Sequence, residues 1–190
     1  EELGLAEDTI FIFSSDNGCS KAAGIGNLAK QGHIVSAHLR GSKADLWDGG
    51  HRIPFIVKWP GKVKQGSESD QLICLTDFFA TVSEIVGEKL PEGSSEYSVS
   101  FFPALSGKPI VSTRNGVIHH SISGHFAYRQ GQWKLLLARA SGGWTSPKEN
   151  QAKGALPAQL YDMEADVGEK KNLYREKPEV VAKLLALLEK

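Results

Sequence analysis

Asp16 and Asn17 stand together at the end of an apolar run, Thr9-Ile10-Phe11-Ile12-Phe13, and Gly18 follows at once. A carboxylate and an amide carbonyl are hard oxygen donors, suited to Ca²⁺ or Mg²⁺ rather than to zinc. In an open α/β sheet, ligands gather outside the carboxyl ends of the strands, which is where these two side chains are expected to stand. Two oxygens are only part of a site, because calcium takes about six to eight, and no D-x-D-x-D-G loop supplies the others. The same residues also read as a turn: Asn-Gly is a favoured hairpin dipeptide, and an aspartate before it can bond its own backbone.

A second group lies downstream, in Arg40-Gly41-Ser42-Lys43 and Asp48-Gly49-Gly50-His51. Arg40 and Lys43 flank a glycine, so two cations can approach one anion closely, and Gly49-Gly50 lets the chain turn tightly before the next apolar run. A cation beside a metal-bound oxyanion can withdraw charge from a sulfuryl or phosphoryl group in transfer. A solvated basic loop is the plainer account of the same residues. His51 is the candidate neighbour of a substrate or leaving group. His119, His120 and His125 also cluster in sequence, but successive strand residues point to opposite faces, which makes His119 and His120 poor co-ligands for zinc. Trp133 lies in an apolar run and Trp59 ends one, so packing is their default; Trp144, on a Gly/Ser/Thr loop, is the aromatic better placed for recognition.

The elements that must position these groups are legible from periodicity. Thr9–Ser15 reads as an interior strand, apolar without polar alternation, as parallel strands covered by helices are. Residues 18–52 lack sustained periodicity and form a long loop region. Pro54–Trp59 is a second strand ended by Pro60-Gly61. Thr76 can cap a helix carrying Phe78, Phe79, Val82, Ile85 and Val86 on one face, with Gly87 as its stop. After a Gly/Ser/Glu linker at 91–100 come short strand-like runs at 117–120, 125–129, 133–137 and 160–163, the second and third joined by a hairpin loop at Gln130-Gly131-Gln132. Pro178 opens a closing helix with Val180, Val181, Leu184, Leu185, Leu187 and Leu188.

The totals set bounds. In 190 residues, 41% apolar content is enough for a real core. Lys+Arg and Asp+Glu are both 22, so there is no basic field to hold nucleic acid. Cys19 and Cys74 have no Cys-x-x-Cys spacing, and neither a disulfide framework nor a zinc site is indicated. No stretch approaches the roughly 18 apolar residues of a membrane span. Glu1-Glu2-Leu3 before Gly4 reads as the last turn of a helix with a glycine cap, so the chain is expected to begin within something larger.

Taken in order, Ser15-Asp16-Asn17-Gly18, Arg40-Gly41-x-Lys43, Asp48-Gly49-Gly50-x-Arg52-x-Pro54, Trp59-Pro60-Gly61, Thr76-Asp77, Trp133-Lys134-Leu135, Leu160-Tyr161-Asp162 and Asp166-x-x-Glu169-x-x-Asn172-Leu173 strongly resemble the arylsulfatase-like sulfatases of the alkaline-phosphatase superfamily. The resemblance implies a partial alkaline-phosphatase-like α/β fold: a mainly parallel sheet with helices over residues 1–100, the C-terminal portion of the catalytic domain, then a small antiparallel sheet with a helix over 101–190. It implies that Asp16 and Asn17 are Ca²⁺ ligands and that Lys43 contacts the sulfate group, with Asp48, where Glu is frequent, in a structural role. A sulfate ester, including a sulfated glycan, is the implied substrate, and a secreted, periplasmic or lysosomal location is implied while the sequence itself leaves the compartment open.

Family sulfatases attack sulfur with formylglycine, made from Cys or Ser in Cys/Ser-x-Pro-x-Arg, and these 190 residues contain no such motif. The expectation is a C-terminal fragment, inactive by itself, retaining calcium weakly or not at all and prone to self-association through uncovered apolar surface. Two alternatives belong to other classes: a phosphodiesterase or phosphonate hydrolase of the same superfamily, and a non-catalytic pseudoenzyme or binding module.

Overall fold

A computed structural model of the chain describes residues 2–111 and 114–188. It divides into two compact units, Glu1–Ser14 with Pro54–Val117, and Ser15–Ile53 with Ile118–Lys190. Of the expected helix end at 1–4, Glu1 lies outside the described residues; Gly4 has the left-handed backbone (φ 69°) common at such caps. Among the described residues no helix is long and apolar enough to cross a membrane.

In the first unit, β1 (Phe11–Ser14) pairs with β2 (Phe55–Lys58). The pairing is antiparallel, with Phe13 opposite Ile56 and Phe11 opposite Lys58. The expected parallel arrangement is therefore corrected: the described sheets are antiparallel. Burial on both faces is corrected too. Phe11 is 59%, Phe13 53% and Ile56 60% exposed, because side chains alternate across a strand and only one face of this ladder is packed. That packed face puts Phe55 against Phe78 and Phe101, with ring centroids 5.7 and 5.3 Å away.

The helix read from Phe78, Ile85 and their neighbours is α3 (Phe78–Val86), stopped at Gly87 with φ 76°. Thr76 does not cap it. Thr76 lies inside a 3₁₀ turn, Leu75–Asp77, that is closed by the Asp77 carboxylate accepting the Cys74 N–H at 2.8 Å. Asp77 is buried and also receives both guanidinium nitrogens of Arg114, at 2.7 and 2.9 Å. Burial alone would raise its pKa; the hydrogen bonds from Arg114 and from the Cys74 and Val99 N–H groups outweigh that and hold it low. A further short helix, α4 (Phe102–Leu105), completes the unit and puts Phe102 against Trp59, a packing role for that indole.

The second unit contains two short helices within the expected loop region, α1 (Ile25–Lys30) and α2 (Asp48–His51). It also contains a sheet in the order β3 (Val117–His120), β4 (Phe126–Gln130), β5 (Trp133–Leu136) and β6 (Gln159–Asp162), apart from Val117. The β4–β5 and β5–β6 pairs are antiparallel, and Gln130 faces Trp133 across the hairpin. Alternation sorts this sheet into two apolar faces. Tyr128, Leu135 and Leu160 share one face and pack against Val181 and Leu184 of the closing helix α5 (Pro178–Leu188). Ala127, Leu136 and Tyr161 share the other, which packs against Leu46 and Trp47. Lys134, opposite Tyr161, projects from that second face, and its burial there decides how the loop over it is held.

Candidate functional site

The candidate residues all fall in the second unit. Asp16 and Asn17 follow β1 in sequence; Asp16 is exposed and Asn17 half-buried. The Ser15 hydroxyl donates to the Asn17 carbonyl at 2.8 Å, and Asn17 Nδ2 donates to the Gly18 carbonyl at 3.1 Å. The oxygen of the Asn17 amide takes no part in that bond, so both acidic and amide oxygens remain the chemically apt ends of this turn for a hard cation.

Three backbone segments meet here at distances only glycine permits. A Cβ on Gly18 would lie 1.8 Å from the Gly49 carbonyl oxygen, and one on Gly49 would lie 2.4 Å from that of Gly41. The Gly18 N–H donates to Gly50 at 3.0 Å, the Gly49 N–H to Arg40 at 2.7 Å, and the Lys43 N–H to Cys19 at 3.0 Å. The last bond ties the Lys43 loop directly to the Asp16-Asn17 turn, although 24 positions separate its partners in sequence. Ala44, next to Lys43, has φ 84°, a conformation unfavourable to any residue with a Cβ and retained only where surrounding contacts impose it.

The Ala44 carbonyl accepts the Ile122 N–H at 3.1 Å, and a buried charge cluster holds the neighbouring Asp48 turn. Lys134 is fully buried, and its Nζ donates to Asp48 Oδ1 at 2.6 Å and Glu169 Oε1 at 2.8 Å. Glu169 Oε2 accepts the Asp48 N–H at 2.6 Å, and its carbonyl accepts from Arg40 at 2.8 Å. The Arg40 guanidinium lies 3.6 Å above the Trp47 ring, so this cation is engaged in packing rather than presented to an anion. Burial pushes the Glu169 carboxyl up, with Lys134 opposing that shift. Asp48 thus has a structural role. In the sequence Lys134 and Glu169 stand out only as members of motifs; the available signal is a lysine inside the apolar run Trp133–Leu137, where a charge requires a buried partner.

His51 lies against a second imidazole. Its ring lies 4.1 Å from that of His119, centroid to centroid, and its Nε2 is buried without a hydrogen-bond partner. Burial first, then the nearby Lys134 charge, lowers its pKa to about 4, and the same two causes hold His119 well below its ordinary value. Both imidazoles are therefore neutral near pH 7. His119 Nε2 is 3.2 Å from the Leu46 carbonyl, which occupies it in packing.

Among the described residues, no three His, Cys, Asp or Glu side chains are grouped to hold a metal ion. Asp16 and Asn17 carry two hard oxygen donors, fewer than the six to eight or so that calcium takes, so a calcium shell at this turn would need further donors.

The family model described as Sulfatase matches residues 1–88. An N-acetylgalactosamine-6-O-sulfatase from Bacteroides thetaiotaomicron is 36% identical over 195 residues, covering all of this chain and 37% of that protein. A sulfatase structure from work on glycosaminoglycan metabolism by Bacteroides thetaiotaomicron superposes with a TM-score of 0.81 at 33% identity, covering 99% of this chain and 39% of that one. A protein solved with its substrate D-glucosamine-2-N,6-O-disulfate shares the fold at a TM-score of 0.70 and 22% identity, again over 99% of this chain and 35% of its own. The chain thus spans less than two-fifths of each.

Proposed function

This chain belongs to the sulfatase family, and on that premise we propose that it forms part of a sulfuric ester hydrolase acting on a sulfated glycan. The observation that carries the reading is the junction of the Asp16-Asn17 turn with the Lys43 loop, through the Lys43 N–H on the Cys19 carbonyl and the glycine contacts around it. A cation and two hard oxygen donors mounted on one glycine-packed junction suit a sulfate group, whose oxygens need both neutralisation and fixed orientation.

Asp16 and Asn17 would hold Ca²⁺ together with donors from outside these residues. When bound, the ion would neutralise sulfate oxygens as charge builds on them. Lys43 would contact the sulfate and restrict its orientation, and the neutral His51 would border the substrate without adding charge. The formylglycine nucleophile of the family would come from a part of the protein beyond these 190 residues, which contain no Cys/Ser-x-Pro-x-Arg motif. The chain alone would accordingly be inactive. Names of relatives support the glycan assignment: one acts on N-acetylgalactosamine 6-sulfate esters by its name, and another was solved with a disulfated glucosamine.

The test is sulfate release from N-acetylgalactosamine 6-sulfate by the full-length polypeptide. Lys43→Ala should lower kcat/KM at least about a hundredfold, since an electrostatic contact at the transferred group is removed. Hydrolysis of a phosphodiester to a phosphomonoester and an alcohol without sulfate release, or a Lys43→Ala protein with unchanged kcat/KM, would overturn the reading.

A further inference from the structure

The loop at 142–145 is joined to the Lys43 loop residue by residue. The Thr145 N–H donates to the buried Asp45 carboxylate at 2.9 Å, and the Thr145 hydroxyl lies 3.2 Å from that of Ser42. On the other side of Trp144, a Cβ on Gly143 would lie 2.3 Å from the Ala44 carbonyl oxygen. The Leu46 N–H donates to the Ser141 carbonyl at 2.8 Å, and Lys21, two residues past Cys19, donates its ammonium to the Trp144 carbonyl. Residues 141, 143 and 145 are therefore all pinned to residues 42–46, and the backbone of Trp144 is held between them. Trp144 is nevertheless 38% exposed as a residue, whereas Trp47 is buried and Trp59 and Trp133 are packed in apolar surroundings.

A rigidly mounted, exposed aromatic on a loop fastened to the cation-bearing loop has the properties of a sugar platform. The apolar face of a pyranose can lie on the ring while an ester group reaches toward the loop that carries the charge. We propose that Trp144 is a specificity-determining residue of the Lys43 site, stacking on the pyranose ring of a sulfated sugar whose sulfate group is held at Lys43. This rests on the sulfate-site reading above and adds to it the requirement that the substrate be a sugar with an exposed apolar ring face, not a simple sulfate ester.

The experiment uses the full-length polypeptide with its formylglycine precursor residue replaced by alanine, so that the sugar binds without being hydrolysed; it is isotopically labelled, titrated separately with N-acetylgalactosamine 6-sulfate and with inorganic sulfate, and read by the Trp144 indole N–H and Lys43 backbone resonances. The sulfated sugar is expected to shift both resonances, and inorganic sulfate only Lys43. Trp144→Ala should weaken the sugar by about three- to tenfold, the range expected for loss of one aromatic contact, and leave inorganic sulfate unchanged. Trp144→Phe should keep the sugar affinity within about twofold, and the amide spectrum of each variant reports whether the fold survives. A Lys43 shift with the sugar but no movement of Trp144, or unchanged sugar affinity in Trp144→Ala, overturns the platform and leaves the sulfate site standing. Absence of any Lys43 shift with either probe overturns the site, and the platform with it.

Discussion

Lys134→Met tests the claim that a buried charge cluster supports the candidate site. The substitution keeps an unbranched side chain of similar length and removes the ammonium bonded to Asp48 and Glu169. Both carboxylates are then left buried and close together without a cation. Removing one partner of such a cluster costs about 3–5 kcal/mol. Glu169 keeps its bond to the Asp48 N–H, so the lower part of that range, about 3–4 kcal/mol, is expected at pH 7. The sign of the pH effect follows from the same geometry. Burial already pushes the Glu169 carboxyl up while Lys134 opposes that shift, so without Lys134 its folded-state pKa rises further above the unfolded value, and the penalty is present while it is ionised. It is relieved as pH falls through the raised folded pKa, by about 1.4 kcal/mol per pH unit for one proton. Urea unfolding at pH 7 and pH 5, followed by tryptophan fluorescence, measures both effects. Amide exchange at Gly49 and Gly50 should accelerate in the variant, because both lie in the Asp48–His51 turn that the cluster anchors. A loss below about 1 kcal/mol at both pH values would refute the reasoning, since that is the behaviour of a solvated pair.

Other perturbations have expected outcomes of their own. His51 is neutral in the folded chain, with a pKa lowered from 6.5 to about 4; the unfolded state takes up the proton first, so stability is intact above pH 6.5 and declines toward pH 4 by about 3 kcal/mol from this group. In His51→Leu the pH dependence of unfolding over that window should flatten, leaving the part due to His119; an unaltered slope would show that His51 is not desolvated. Gly18→Ala must displace the Gly49 carbonyl, which a Cβ would meet at 1.8 Å; a loss of about 1–3 kcal/mol and faster exchange of the Lys43 amide are expected, and native-like exchange would contradict the close packing. The exposed face carrying Phe11, Phe13 and Ile56 should make the isolated chain associate in sedimentation velocity, and Phe13→Lys with Ile56→Glu, an opposed cross-strand pair, should reduce that association. A wild-type monomer at high concentration would refute this.

The sequence by itself determined most element positions, because these are local properties. The spacing of apolar residues located α3 and α5, Gly87 ended the former, and short alternating runs around Gly131 located the β4–β5 hairpin, since turn chemistry and periodicity act within a few residues. The ordered motifs from Asp16-Asn17 to Asn172-Leu173 pointed to the sulfatase family for the same reason: each is a local requirement for a turn, a donor or a close approach. Only the tertiary structure decided that β1 and β2 run antiparallel with one apolar face uncovered, since an apolar run reads alike in a buried parallel strand and in this ladder. Only the tertiary structure decided, too, that Asp48, Lys134 and Glu169 form one buried cluster. Their bonds span 86, 35 and 121 positions, and no local periodicity encodes a partner at such separation. A buried charge announces that it needs a counter-charge; the fold alone selects which one it meets.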